Sequence, residues 1–391
     1  MTINLYKEEA RKEKKQNNNF ALISGSFGKQ NLGDDALLNA FLLRNKSKYQ
    51  KVFAILEENF VEGIESEGVD FLEMPKLAIG RDFLKGTFDR SRKRQQILNK
   101  NSGMRGDYYL TGGVLGFPIH VKIRYKELLW AKTVCSKFIY YFGDAEYKPY
   151  NLKTAQQWVN TMNDSDSWIS VRSIEAASLL TQTGYSRNIH VGLDPVLFER
   201  VSYSQKPFQR HKACEEVLAL IPCVANIENM RDTWIKIAVS GIRRGLKLRW
   251  ISFCDPYDLE ICRSLFQEIS HEYPNHPQEI CYGQNIDDFL KDPVCCVAAR
   301  LHGAIYSITN GIPTVAVCYA KKIERLFNML NLENWILIHS SCHSPASSSI
   351  DKFSSMLDEA MSNGWCINSK KFDDRLENHK KALQNLNAFI K

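Results

Sequence analysis

Residues 294–322 read VCCVAARLHGAIYSITNGIPTVAVCYAKK, and this stretch decides the fold. Residues 294–299 form a short, continuously apolar run, as in a strand buried on both faces. Residues 314–318 repeat that character after a Gly-Ile-Pro break. Two such strands joined by a crossover predict parallel neighbours. Between them, residues 304–310 suit a short helix whose N-terminus falls at residues 300–303, at the carboxyl end of the first strand. Open α/β sheets bind ligands at that edge.

That helix start carries Arg300, Leu301 and His302. The first N–H groups of a helix lack partners and carry partial positive charge, so an anion is welcome there. Tyr319, Lys321 and Lys322 follow the second strand and can reach the same rim from the next loop. The competing reading pairs Arg300 with a nearby carboxylate and leaves His302 as a helix cap.

Outward from this unit the alternation continues. Strands are predicted at 217–223, 248–253 and 278–282, and helices at 226–244, 257–272 and 286–290. Strands alternating with helices imply a parallel sheet with crossovers. Downstream lie a Ser-rich loop at 340–349 and helices at 350–361 and 372–390, the last placed to pack back on the first domain.

The N-terminal half starts with a polar arm, residues 1–19, expected to be mobile. A strand at 20–24 runs into a loop with Gly25, Gly28, Asn31 and Gly33, then Asp34, Asp35 and a helix at 36–44. The glycines permit close approach of a ligand, and one aspartate can cap the helix while the other stays available. Both acting as caps is the alternative. The loop lacks the Lys-Ser/Thr ending of a nucleotide-binding P-loop. Further strands are predicted at 52–56, 69–72 and 108–111, the last ending at Gly112-Gly113, and at 137–142 and 168–171, the latter ending at Arg172. Arg172 is thus placed like Arg300, with a structural salt bridge as the competing role. Helices at 120–133, 150–162 and 174–180 separate these strands, and a strand at 188–193 ends at Asp194-Pro195, where proline is expected to force an extended exit. Residues 198–212 turn polar and aperiodic, which marks a domain boundary. The predicted divisions are an arm at 1–19, a domain at 20–200, a second at 213–345 and C-terminal helices at 346–391.

A chain of 391 residues exceeds one ordinary core, so two domains are expected. The net charge of +7 suits acidic small molecules, lipid headgroups or nucleic acid about equally and decides little. Eleven scattered cysteines without CxxC spacing read as reduced thiols, with no metal site. The charged, polar first residues lack the apolar core of a signal peptide, and no run spans a bilayer, so a cytoplasmic protein is expected. Residues 81–105 are the most basic segment, able to meet an anionic membrane peripherally or simply to be solvated. Nucleic acid is not an expected partner, because the basic residues are not interleaved with aromatics.

Separated motifs together resemble the polysaccharide pyruvyltransferase family. NLGDDALL at 31–38, TGGVLG at 111–116, SVRS at 170–173, GLDPVLF at 192–198 and ARLHGAIYSITNGIPTVAVCYAKKI at 299–323 occur in the family's order. The resemblance implies an α/β fold of two Rossmann-like domains with a central cleft, similar to GT-B glycosyltransferases. It implies phosphoenolpyruvate as donor, a glycan acceptor that includes lipid-linked forms, a pyruvate ketal as product, and no cofactor. Carried onto this sequence, Arg172, Arg300, Leu301, His302, Tyr319 and Lys322 would bind phosphoenolpyruvate. His302 would be the general acid, with a relay through phosphate or a carboxylate as the alternative. Asp35 or Asp34 would orient or deprotonate the acceptor hydroxyl, and Asn31, Gly33, Gly112 and Gly113 would line the acceptor side. Two departures stand out: Ser173 occupies a position where the family usually has aspartate, and Lys321-Lys322 leaves the matching lysine ambiguous. The alternatives are a nucleotide-sugar glycosyltransferase on the same plan and a non-catalytic scaffold for glycan assembly.

Overall fold

The computed structural model describes residues 19–28, 30–56, 64, 67–73, 104–112, 118–145, 152–203, 208, 216–283, 286–291, 293–340, 348–362, 367 and 369–391. Four expectations fall outside them: the arm at 1–18, most of the basic segment at 81–105, Gly113, and most of the Ser-rich loop.

The chain divides into two compact units. The first comprises the described residues up to 28, then 34–195 and 376–391; the second comprises 30–33 and 196–375. Sequence reasoning placed one break at 200–213 and a separate C-terminal segment from 346. The chain changes unit at 195/196 instead and residues 348–375 stay with the second unit, whereas the last residues, 376–391, belong to the first, in line with the expected packing of the final helix on the first domain.

In the first unit, β1 (Asn19–Ser24), α1 (Leu32–Asn45), β2 (Lys51–Leu56), β3 (Val69–Glu73), β4 (Arg105–Thr111), α2 (Pro118–Ala131), β5 (Lys137–Gly143), α3 (Leu152–Asn163), β6 (Asp166–Val171), α4 (Ile174–Gln182) and β7 (Ile189–Val191) follow in order. Their strands form one sheet, β3-β2-β1-β4-β5-β6-β7, paired in parallel throughout. Apolar runs such as KFIYYFG are buried at every position, as a sheet covered on both faces requires.

In the second unit follow α5 (Pro195–Tyr203), β8 (Val217–Ile221), α6 (Ile227–Ile242), β9 (Lys247–Ile251), α7 (Tyr257–Glu272), β10 (Gln278–Cys281), α8 (Ile286–Phe289), β11 (Cys295–Ala298), α9 (Leu301–Thr309), β12 (Thr314–Val317), α10 (Lys321–Met329), β13 (Ile336–Ile338) and α11 (Ser348–Ser362), and then α12 (Lys370–Ile390), which starts in this unit and from Leu376 belongs to the first. The sheet order is β10-β9-β8-β11-β12-β13, again parallel. The predicted pairing of the strands that flank Arg300 holds, with Val297 opposite Val315. Trp234, Trp250, Leu265 and Val297 fill the core around them.

Both sheets reverse their strand order once, between β1 and β4 and between β8 and β11, the arrangement of Rossmann-like folds. The crevice beyond the carboxyl ends at such a reversal is the ligand position of these folds.

Two local expectations are corrected. Pro195 opens α5 rather than forcing an extended exit, because its fixed φ and missing N–H suit the first helical position as well as a turn. Helix α1 begins at Leu32 rather than at residue 36, which moves both aspartates into its first turn.

Candidate functional site

In the second unit, the loops after β8, β9, β11 and β12 gather the residues of interest. Arg300 is the N-cap residue of α9, in extended conformation, so its side chain leaves the helix start while its carbonyl accepts the first helical bond from Ala304. Its guanidinium is held by Asp258, in the first turn of α7: Nε donates to Oδ2 at 2.8 Å and Nη2 to Oδ1 at 2.6 Å. Asp258 is fully buried and also accepts from the backbone N–H of Val224 at 3.1 Å. Burial opposes charge on Arg300, but Cys223 and then Asp258 together reverse this, so the pKa is raised. The pairing that sequence reasoning kept as its alternative is therefore present, and Nη1 makes no hydrogen bond among the described residues. The pair fixes the plane of the guanidinium and leaves one edge of it for an anion.

His302, half-buried in the first turn of α9, has an unexpected neighbour in Gly33. A Cβ on Gly33 would lie 2.1 Å from His302 Nδ1, so any other residue there would have to push the imidazole aside. The stretch around Gly33 is fixed by backbone bonds beyond the end of β9: Leu32 N–H donates to Phe253 O at 3.0 Å, Asp255 N–H donates to Gln30 O at 3.0 Å, and Asn31 bridges Cys254. Asn31 Oδ1 accepts from Gly33 N–H at 3.2 Å, the helix-start bond that sequence reasoning gave to an aspartate. Asn31 and Gly33, expected on the acceptor side in the first domain, thus belong to the second unit beside His302.

Leu301 is buried, so it can offer a ligand only its backbone N–H. Lys321 and Lys322 open α10, a helix the sequence reading missed. Lys321 points to solvent, whereas half-buried Lys322 holds its Nζ over the Tyr319 ring, 5.5 Å from the centroid. Cys223, buried after β8, was not singled out, and burial raises its thiol pKa.

In the first unit, Arg172 ends β6 and pairs through Nη1 with Asp194, while Asp144 adds to the field around it. Its side chain is 9% exposed, and its Nε–H is a buried donor with no partner among the described residues. Burial opposes its charge, and Asp194 and then Asp144 reverse this, so the pKa is raised. Ser173, the departure from the family pattern, caps α4 by accepting from Ala176 N–H at 3.1 Å. Arg172 therefore has carboxylates to orient it despite that serine.

Asp35 is 2% exposed in α1; its Oδ1 accepts from Gly28 N–H at 3.0 Å, and Oδ2 has no partner among the described residues. Burial pushes its carboxyl pKa up to about 7, against the Gly28 bond and aided by Asp34. Such a carboxyl exchanges protons near neutrality. Asp34 is half-buried in the same turn. Gly112, in the turn after β4, has φ +89° and accepts from Asp144 N–H at 3.1 Å through its carbonyl. That φ strains any residue with a Cβ.

Among the described residues, no helix is long and apolar enough to cross a membrane. Comparison with protein families matches residues 106–320 to the model described as polysaccharide pyruvyl transferase. Comparison with curated proteins found no match. Among solved structures, the chain is similar to UDP-GlcNAc 2-epimerase from Methanocaldococcus jannaschii, at 10% identity and a TM-score of 0.60, over 95% of this chain and 99% of that one. A putative UDP-N-acetylglucosamine 2-epimerase from Listeria monocytogenes gives 10% identity and a TM-score of 0.56, with 94% of each chain covered. Anabaena Alr3699/HepE in complex with UDP gives 11% and 0.53, over 95% of this chain and 100% of that one. At these identities the likeness is one of fold: two Rossmann-like units of GT-B type.

Proposed function

Because the chain belongs to the polysaccharide pyruvyl transferase family, we propose that it moves the enolpyruvyl group of phosphoenolpyruvate onto two hydroxyls of a sugar. The sugar is part of a surface polysaccharide or its lipid-linked precursor, and the products are a pyruvate ketal and phosphate. The observation that carries this reading is the turn Arg300-Leu301-His302 at the start of α9, where a guanidinium fixed on Asp258 and the positive end of a helix suit a dianionic donor.

In this reading Arg300 Nη1, the N–H groups of Leu301 and His302, and Lys322 above Tyr319 hold the phosphate and carboxylate. Arg172 is assigned to the same donor through its buried Nε–H. His302 delivers a proton to the methylene carbon, which becomes the methyl group, and the electron-poor neighbouring carbon is attacked by a sugar hydroxyl. The C–O bond to phosphate then breaks and the second hydroxyl closes the ketal. Two hydroxyl protons are released: one replaces the proton His302 gave, and the other leaves on phosphate. Asp35, with its carboxyl pushed up to about 7, is the residue assigned to accept a hydroxyl proton. No electron is transferred, so the reaction calls for no redox cofactor. A cytoplasmic enzyme meeting anionic lipid through residues 81–105 completes the reading.

Calorimetric titration of phosphoenolpyruvate tests it on the wild type, Arg300→Ala and His302→Ala. Millimolar or tighter binding, lost in Arg300→Ala and kept in His302→Ala, is the expected result. Binding of UDP-sugars in place of phosphoenolpyruvate would instead favour a nucleotide-sugar enzyme, the reading that the UDP-containing structure of Alr3699/HepE keeps in view.

A further inference from the structure

Helix α12 lies outside the family-matched residues, yet from Leu376 onward it belongs to the first unit, where Ala382, Leu383 and Leu386 are buried. One residue on this buried face is polar. His379 is 1% exposed and stacks on Phe142, with centroids 3.9 Å apart and planes at 16°. Its Nδ1 accepts the backbone N–H of Leu193 at 3.0 Å. Gly192 closes against the same two rings: an added Cβ would lie 2.7 Å from His379 Nδ1 and 2.5 Å from Phe142 Cε1. The residue after Leu193 is Asp194, the carboxylate that holds Arg172.

Packing alone does not call for histidine here. An aromatic hydrocarbon would stack on Phe142 without the cost of burying two ring nitrogens. What histidine adds is an acceptor for the Leu193 N–H. Burial lowers its pKa to about 3, which keeps the ring neutral and Nδ1 able to accept. We propose that His379 is a positioning residue: through Leu193 it fixes the Gly192–Asp194 turn, and so sets the guanidinium of Arg172 toward the anion it binds. The proposal rests on the assignment of Arg172 to phosphoenolpyruvate.

The test uses the full chain and phosphoenolpyruvate, with titration calorimetry, KM and kcat, and thermal melts on Arg172→Ala, His379→Phe and His379→Asn. His379→Phe keeps a ring against Phe142 and loses the acceptor. His379→Asn loses the ring and keeps a side-chain oxygen. Arg172→Ala is expected to weaken binding ~10-fold or more. His379→Phe should weaken it ~5-fold or more through KM with kcat little changed, and His379→Asn should restore most of the loss even if it melts lower. A merely structural histidine gives the reverse order, with phosphoenolpyruvate affinity following melting temperature. If Arg172→Ala weakens binding and His379→Phe does not, the positioning role is wrong while the assignment of Arg172 stands. If Arg172→Ala binds as wild type, the assignment itself fails and the proposal falls with it. Should His379→Phe not fold, His379→Gln replaces it, with its amide set one bond too far and the same order expected.

Discussion

Arg172 and Arg300 follow the same plan in two units. Each ends a parallel strand, precedes a helix and pairs with a buried aspartate. They differ in what the pairing leaves over. Arg300 binds Asp258 through both Nε and Nη2, so its plane is fixed and only Nη1 remains. Arg172 meets Asp194 through Nη1 and keeps a buried, unpartnered Nε–H among the described residues. A buried salt bridge is therefore not evidence against binding. The informative quantity is which donors it leaves unused, since a buried donor without a partner costs stability that a ligand can recover.

The comparison can be broken by removing each arginine. Arg300→Ala strands Asp258 in a fully buried site and should cost ~3–5 kcal/mol in urea unfolding, with transferase activity down ~100-fold or more. Arg172→Ala removes one hydrogen bond rather than two and should cost less, ~1–3 kcal/mol. Equal losses would mean that the two pairs are energetically alike despite their geometry.

Asp35 sharpens the contrast, because it is a buried carboxyl with no cation partner among the described residues. With its pKa at about 7 in the folded chain and 3.8 as the ordinary value, the folded state holds a proton that the unfolded state has released. Stability therefore falls as pH rises from about 4 to about 7. Asp35→Asn removes this dependence. It should be more stable than wild type at pH 8 by up to ~4 kcal/mol, with the gap closing near pH 4, as melts across that range would record. Gly33→Ala tests the fixed approach of His302, at a cost of ~1–3 kcal/mol together with a fall in kcat. The smallest effect concerns the lysine pair. Lys322→Ala should raise the KM for phosphoenolpyruvate several-fold, while exposed Lys321→Ala leaves it unchanged.

Much of the frame was legible in the sequence because its signals are local. The apolar runs that became β11 and β12, the Gly-Ile-Pro break between them and the helix start at Arg300 all lie within one short stretch. The partners were not legible. Asp258 lies 42 residues before Arg300 and Asp194 lies 22 after Arg172, and no periodicity links such positions. His379 is further still, 186 residues from Leu193. The placement of residues 30–33 in the second unit was hidden for another reason: a glycine loop after a strand reads the same whichever unit its backbone joins. Pro195 was misread because one fixed φ serves two conformations.

The exchange of segments has a consequence for synthesis. The first unit holds its final residues, 376–391, from the far end of the chain. Its β-sheet strands have all emerged by Val191, but the helix that supplies His379 and Leu386 has not. At ~5–20 residues per second the ribosome needs roughly 10–40 s more to deliver it. Through that interval the nascent first unit exposes the apolar surface that α12 later covers, and it is then that a chaperone has most to bind.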